Sequence, residues 1–530
     1  MNKKNMFIAA ALACLFFAAL AIRLFLIQAE PHIESDGVSY ARAGAQLIHG
    51  QGFSGFYPPF YPFMIGLFSL CFGDLELSGR LVSAFYGALL IFPLFFMARW
   101  AFGNKTAIIS CLLALVYPNL CHFSSAVLSE STFLFLFMLG LAISWMALSG
   151  NKHLFYLLAG LTWGTAYLTR HEGIGYLLFL ILIILIRLFK EKKIRCLGHL
   201  FLLLAGFLMV STPYLIYLKR DTGNWTIGKQ AVMNITLGEQ VGRVDDWGMA
   251  YEKCYFSLSE DGKQVGYETL LERQKNVRAY ALSHPAELAR RYVVNLHLIN
   301  KYVIPGLVYP FVLILFGAGL FLGDAERTKK ASVLFLAFVP YLAFPFFIVD
   351  PRYFLPFVPI IIIWAARGIV EASSWIAALR KDAPSTVTGQ INRKRLIEMA
   401  LIILVIMSFI PFTFRSFLRH ETGAANIYKE TGRWIQSNLP QGSVLICRRP
   451  FIPFYAGKEQ VPLPFATLDK ILKFARDRGA DYLIADENEA GERPGMESLL
   501  EEVYPVKDLK MVHKFKDISG KKVFIYQILD

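Results

Sequence analysis

Long apolar runs separated by short basic connections fill residues 1–414. The runs fall at 6–27, 77–98, 106–117, 133–148, 154–168, 174–188, 197–218, 302–322, 333–349, 354–366 and 396–412. A helix of about 20 apolar residues crosses a hydrocarbon core of about 30 Å, and the shorter runs gain length from their flanks. The pattern therefore predicts an α-helical polytopic membrane protein with about eleven transmembrane helices. The apolar run at 60–72 is too short to cross and is expected to lie in an interface or re-enter it. The run at 6–27 is longer than the apolar core of a cleaved signal and reads as a retained anchor. Arg23, near its end, is expected to extend its head to the outer interface.

Basic residues sort the connections. Lys3 and Lys4, Arg99 and Lys105, Lys152, Lys190 to Arg195, Arg327 to Lys330, Arg380 and Lys381, and Arg393 to Arg395 fall at alternate turns. Cytoplasmic connections carry an excess of Lys and Arg. The expectation is a cell (inner) membrane protein with its amino end cytoplasmic. A first outer loop with interfacial helices spans 28–76, a second outer loop spans 219–300, and the carboxyl tail is extracytoplasmic or periplasmic.

The tail, 415–530, changes period. Ile427, Thr431, Trp434 and Ile435 share one helical face, as do Leu468, Ile471, Leu472 and Ala475. Residues 443–447 and 482–485 read as strands, and 511–515 with 523–528 as a hairpin around Ile518 to Lys521. A small extracytoplasmic α/β domain results, long enough for its own core. It has no Gly-rich phosphate loop or nucleophile elbow, so it reads as a lid, binding module or scaffold.

Composition agrees with the membrane reading: 55% of residues are hydrophobic and 18% charged. The formal charge of +14 is dispersed in the connections, which argues for topology signals and against nucleic-acid binding. The seven cysteines form no CxxC pair or Cys/His cluster. Cys254 and Cys447, both placed outside, are expected as free thiols. Asn224 and Asn234 begin glycosylation sequons.

Four separate connections carry chemistry to the outer side. Asp36 follows the first run, Glu130 opens the fourth, Arg170-His171-Glu172 joins the fifth and sixth, and Arg352 joins the ninth and tenth. Ionisable groups at membrane depth are costly and are usually paired or functional. Together they could hold an anionic head group and abstract a proton. Singly, each has a plainer role: Asp36 as a helix cap, Arg170 as an interface anchor, His171 as a structural hydrogen-bonder, and Tyr40, Tyr57 and Tyr61 as core aromatics.

In this order the motifs resemble the family-C glycosyltransferases over roughly residues 1–415. The motifs are the acidic Glu34 to Tyr40 loop with Pro58-Pro59-Phe60-Tyr61-Pro62, then Leu128-Ser129-Glu130, Leu168 to Gly173, and Pro351-Arg352-Tyr353-Phe354-Leu355-Pro356 with Pro359. The nearest branch contains the protein O-mannosyltransferases and the lipid A aminoarabinose and galacturonic acid transferases. The resemblance implies inverting transfer of a sugar from a polyprenyl-phosphate carrier to a lipid, glycan or protein acceptor outside the cytoplasm, with Asp36 as general base and with Glu130, the second catalytic candidate, or Glu172 left to orient the acceptor or bind a cation. Several relatives place another acid after the aspartate and a basic residue before the tyrosine, where this chain has Gly37 and Ser39. The donor phosphate then falls to Arg42, Arg170 and Arg352. Substrate contacts fall to Tyr40, Tyr57, Tyr61, His171, Glu172 and Tyr353, and the acids admit a divalent cation. A lipid-linked sugar flippase and a non-catalytic envelope assembly protein are the alternatives.

Overall fold

The computed structural model describes residues 3–53, 55–150, 152–191, 194–229, 247–266, 283–346, 349–379, 387–415, 427–487, 493, 495–500, 508–517 and 520–529. Arg380 and Lys381, the sequon at Asn234, and Ile518 with Ser519 lie outside the described residues.

The first half of the chain is helical: α1 Lys3–Ile27, α2 Ser35–His49, α3 Phe60–Phe72, α4 Leu75–Leu89, α5 Ile91–Phe102, α6 Asn104–Leu115, α7 Pro118–Ser125, α8 Glu130–Gly150, α9 His153–Tyr167, α10 Gly173–Glu191 and α11 Arg195–Thr222. After α12, Trp247–Phe256, the bundle is completed by α13 Pro285–Leu307, α14 Pro310–Phe321, α15 Ala325–Phe346, the short α16 Pro351–Phe354, α17 Phe357–Leu379 and α18 Val387–Thr413. Among the described residues, eight helices are long and apolar enough to cross a membrane, or up to ten if two bent pairs each count as one span. This chain is therefore a multi-pass membrane protein.

By length and apolarity the count thus falls short of the expected eleven. The difference lies in α9, whose 15 residues rise only about 22 Å, yet α9 still carries the chain from the end where α8 finishes back to the end where α8 begins. Its narrow neighbour spacing has a local cause. A Cβ on Gly160 would sit 2.1 Å from Leu203 O, and one on Gly206 would sit 2.4 Å from Leu157 O, so glycines let α9 and α11 touch backbone to backbone. Two other spans differ from expectation. The run at 302–322 is broken by a 98° bend before Pro310, which has no N–H to continue the helix. The run at 354–366 continues past Arg367 to Leu379, because that guanidinium is buried 4.5 Å over the Phe102 ring. Arg23 also departs from expectation. It is 1% exposed and turns inward, donating to Ala19 O at 3.0 Å.

The bundle has two chemically distinct ends. At one, Lys105 pairs with Glu398, Lys330 lies 5.6 Å from the Trp100 ring, and Arg187 donates to Leu148 O at 2.8 Å. The acids and arginines of the four connections gather at the other.

The tail contains α19 Ile427–Asn438, β1 Val444–Cys447, α20 Phe451–Ala456, β2 Glu459–Pro462, α21 Leu468–Asp477, β3 Tyr482–Asp486, β4 Leu509–Lys516 and β5 Lys522–Ile528. Its sheet runs β2-β1-β3-β5-β4, parallel at β2-β1-β3 and antiparallel at β3-β5-β4. The sequence pattern does not predict β2, which begins with the polar pair Glu459 and Gln460 and ends in proline. The tail is seated on the bundle by Tyr455 Oη, which accepts from Ile33 N at 2.7 Å, and by Lys429, 3.1 Å from Glu76. Arg80 pairs with that glutamate and donates to Ile27 O at 2.8 Å and Glu30 O at 3.0 Å. The end of α1, and with it the start of α2, is fixed from two sides. All seven cysteines are free thiols.

Candidate active site

Asp36 lies in the first turn of α2, and its carboxylate does not cap the helix. Tyr57 Oη donates to Asp36 Oδ1 at 2.8 Å, and Arg352 Nη1 donates to Oδ2 at 2.8 Å. The same guanidinium reaches Glu130 through Nε, at 2.6 Å to Oε1. Arg170 Nη1 donates to that Glu130 oxygen at 2.7 Å, and Arg170 Nε donates to Glu172 at 2.9 Å. Three carboxylates and two guanidiniums from four connections therefore form one chain of contacts: Asp36, Arg352, Glu130, Arg170, Glu172.

Local sequence explains how each group arrives. Asp350 caps α16 by accepting from Arg352 N at 2.9 Å, and Pro351 occupies the first helical position, where its missing N–H costs nothing. This short turn aims Arg352 into the cluster. Glu130 opens α8, where a negative charge meets the positive end of the helix dipole. Because Arg170 at the end of α9 meets Glu130 at the start of α8, the two helices run antiparallel and return to the same end of the bundle.

Gly37 allows α2 to approach α8's lead-in. A Cβ there would stand 2.9 Å from Val127 O and 2.8 Å from Ile33 Cγ1. The position that holds an acid in several relatives has no room for a side chain here.

Glu130 is 2% exposed, and its Oε2 is buried with no hydrogen-bond partner among the described residues. Such an atom costs free energy unless a ligand donor or water completes it. Beside it Glu130, Arg170, Glu172, Arg352 and Tyr353 line a closely packed crevice with no free volume for a water molecule. The Tyr353 ring lies 5.2 Å from the Arg170 guanidinium. A second cavity of about 320 Å³ reaches Pro351, lined by Leu26, Phe123, Tyr309 and Phe412 and by polar Glu30, His122 and Arg415.

The remaining predicted residues divide. Tyr40 touches the cluster's edge, with its hydroxyl 3.2 Å from Ser129 and its ring 4.6 Å from Tyr57. Tyr61 is buried beneath, 2.8 Å from Ser83 Oγ, and packs rather than faces the cleft. His171 turns away to Tyr214 Oη at 3.4 Å and to Gly228. Burial, together with the Arg170 charge, holds His171 down at about 4, so it is a neutral hydrogen-bonder near pH 7. Arg42 is not part of the cluster: at 100° per residue, six positions place it well round α2 from Asp36. Sequence reasoning missed Ser129, which lies between Tyr40 and Arg170. Its position inside Leu128-Ser129-Glu130 was the available signal. It also missed α12, described below.

No group of three or more His, Cys, Asp or Glu side chains that could hold a metal ion occurs among the described residues. Each acid in the cluster faces a guanidinium.

Residues 57–217 match the family described as dolichyl-phosphate-mannose-protein mannosyltransferase. Comparison with curated proteins finds no match. Among solved structures, the chain is similar to ArnT from Cupriavidus metallidurans bound to undecaprenyl phosphate, with 14% identity, a TM-score of 0.58 and 97% of each chain covered. It is also similar to the Archaeoglobus fulgidus oligosaccharyltransferase in its apo form, with 13% identity and a TM-score of 0.58, covering 98% of this chain and 74% of that one. The Archaeoglobus fulgidus enzyme AglB, in complex with an inhibitory peptide and a dolichol-phosphate, gives 12% identity and a TM-score of 0.56, over 99% of this chain and 74% of that one. With its bundle, its tail domain and these likenesses, the chain has the fold of the GT-C membrane glycosyltransferases.

Proposed function

We propose that this chain is an inverting glycosyltransferase that moves a sugar from a polyprenyl-phosphate carrier to a hydroxyl on a lipid, glycan or protein acceptor. The observation that carries the reading is Arg352, which bridges Asp36 and Glu130 with one guanidinium. Such a bridge has an exchangeable ligand: an incoming phosphate offers Arg352 a bidentate partner that a lone carboxylate oxygen does not.

In this account the donor phosphate takes Arg352 and Arg170, and Asp36 is released from its cation. Asp36 then accepts the acceptor's hydroxyl proton while that oxygen forms a bond to the anomeric carbon. The bond from that carbon to the phosphate oxygen breaks, and the arginines stabilise the charge that develops on the departing carrier phosphate. Displacement from the opposite face inverts the anomeric configuration. Tyr57 orients Asp36 throughout, and Glu130 holds both guanidiniums in place. The cavity beside Pro351 offers Leu26, Phe123, Leu307 and Phe412 to part of a prenyl chain or lipid acceptor, next to polar Glu30, His122 and Arg415.

Chemically opposite bundle ends support an orientation with the basic end cytoplasmic and the cluster and tail outside, in a cell's inner membrane. The neighbours solved with undecaprenyl phosphate or dolichol-phosphate support the carrier class.

The test uses purified protein in nanodiscs with a polyprenyl-phosphate sugar labelled in the sugar. Label appearing in an acceptor with inverted anomeric configuration supports the proposal. Label that crosses the bilayer still attached to its carrier would make the chain a flippase. A protein that does neither is an assembly factor.

A further inference from the structure

Helix α12 lies between the tail domain and the site and touches both. Glu252 is buried against the tail, where Arg448 Nε lies 2.9 and 3.0 Å from its two oxygens, Arg448 Nη2 lies 2.5 Å from Oε1, and Arg493 Nη2 lies 2.8 Å from Oε2. Arg493 is fully buried and also donates to Pro464 O at 3.1 Å. The Arg448 guanidinium stacks 3.7 Å from the Phe256 ring. Just beyond the helix, Phe256 O accepts from Phe465 N at 2.7 Å, and Val265 is buried in the tail's own core. This part of the outer loop is therefore built into the tail domain.

The adjoining side of the same helix reaches the site, and Arg448 also lies 5.7 Å from the Tyr251 ring. Tyr251 and Tyr255, one helical turn apart, stack with ring centroids 4.5 Å apart. Cys254 packs against both of them and against Tyr353 of the cleft. Both phenols lie within reach of the Asp36 charge, and Tyr251 within reach of Tyr57. A buried carboxylate between two arginines is a poor way to gain stability, since desolvation offsets most of the attraction. Its directional bonds do fix one helix rotation, which apolar contact alone would leave loose.

We propose that the tail domain is part of the active centre. By clamping Glu252 between Arg448 and Arg493, it sets Tyr251 and Tyr255 as the aromatic wall of a subsite for the donor's sugar ring, over Asp36 and Tyr353. This rests on the glycosyl-transfer reading above. Glu252, Arg448 and Arg493 are positioning residues, while the two tyrosines touch the sugar through the apolar face of its ring.

The experiment measures steady-state transfer by the full chain in nanodiscs, together with binding of two ligands: the polyprenyl-phosphate sugar and the same carrier phosphate without sugar. Glu252→Gln is expected to raise the donor KM about tenfold with kcat changed less than about twofold, as loss of ground-state binding does. It should weaken binding of the sugar-bearing carrier while leaving the sugarless one unchanged. Tyr251→Ala with Tyr255→Ala should give the same KM, and adding Glu252→Gln to that pair should change it no further. Arg448→Lys should lie between wild type and Glu252→Gln. If Glu252→Gln does not accumulate folded, the tyrosine pair and Arg448→Lys give the same readouts.

Equal weakening of both ligands, a fall in kcat alone, or full additivity with the tyrosine pair overturns the proposal. Wild-type protein that transfers sugar while all these variants match it overturns both the clamp and the aromatic subsite, and leaves the transferase reading standing. Wild-type protein that transfers nothing overturns the transferase reading, and the subsite with it.

Discussion

Replacing Arg352 by Met removes the one side chain that touches both Asp36 and Glu130. The cluster holds three carboxylates and two guanidiniums, a formal charge of −1, and the substitution takes it to −2. Removing one partner of a buried ion pair costs about 3–5 kcal/mol. Glu130 keeps Arg170, and the Arg352 side chain is 30% exposed, which places the expected loss near the lower end, about 3 kcal/mol. With Glu130→Gln already present, the buried charge is gone, and the same Arg352→Met change should cost only about 1 kcal/mol. The double-mutant cycle therefore predicts a coupling of about 2 kcal/mol. Equilibrium unfolding of the four proteins in mixed detergent micelles measures it. A coupling below about 0.5 kcal/mol, the usual error for independent sites, would refute the claim that Arg352 and Glu130 act as a buried unit.

Three further outcomes follow from the geometry. Gly37→Ala should push α2 from Val127 and lower stability by about 1–3 kcal/mol, as overpacking does; an unchanged melting temperature would mean that the approach is not tight. Tyr57→Phe removes the hydroxyl that, among the described residues, donates to Asp36 Oδ1, and transfer should fall about tenfold, the worth of a hydrogen bond to a charged group, with little change in melting temperature. His171, held down at about 4 against an ordinary 6.5, takes up a proton in the unfolded chain before the folded one. It should therefore cost no stability above about pH 6.5 and a growing amount as pH falls from there toward 4. His171→Gln should shrink the difference between melting temperatures at pH 7 and pH 5, and an identical difference would contradict its burial as a neutral ring.

The membrane class and most helices were legible because apolar length and basic punctuation are imposed by the bilayer itself. The alternation at 443–447 and 523–528 likewise marked the strands of the tail. Tertiary packing set what hydropathy could not. Arg23 and Arg367 look like interface anchors until a neighbouring carbonyl or aromatic ring is seen to hold them inside. The close approach of α9 to α11 depends on Gly160 meeting a helix more than forty residues away.

At the site, topology alone brought Asp36, Glu130, Arg170, Glu172 and Arg352 to one end, and the structure joins them. Arg42, Tyr61 and His171 were named on residue type and proximity in sequence, and helix rotation or burial turns each elsewhere. The role of α12 was hidden because its partners, Arg448 and Arg493, lie about two hundred residues downstream with no local pattern to announce them.

The most direct measurement compares wild type with Asp36→Asn, purified into nanodiscs and supplied with a polyprenyl-phosphate sugar and acceptor, following label transfer and unfolding together. The account predicts transfer by the wild type and a loss of at least about 100-fold in the variant, with the variant still folded. Transfer by Asp36→Asn at the wild-type rate would contradict it.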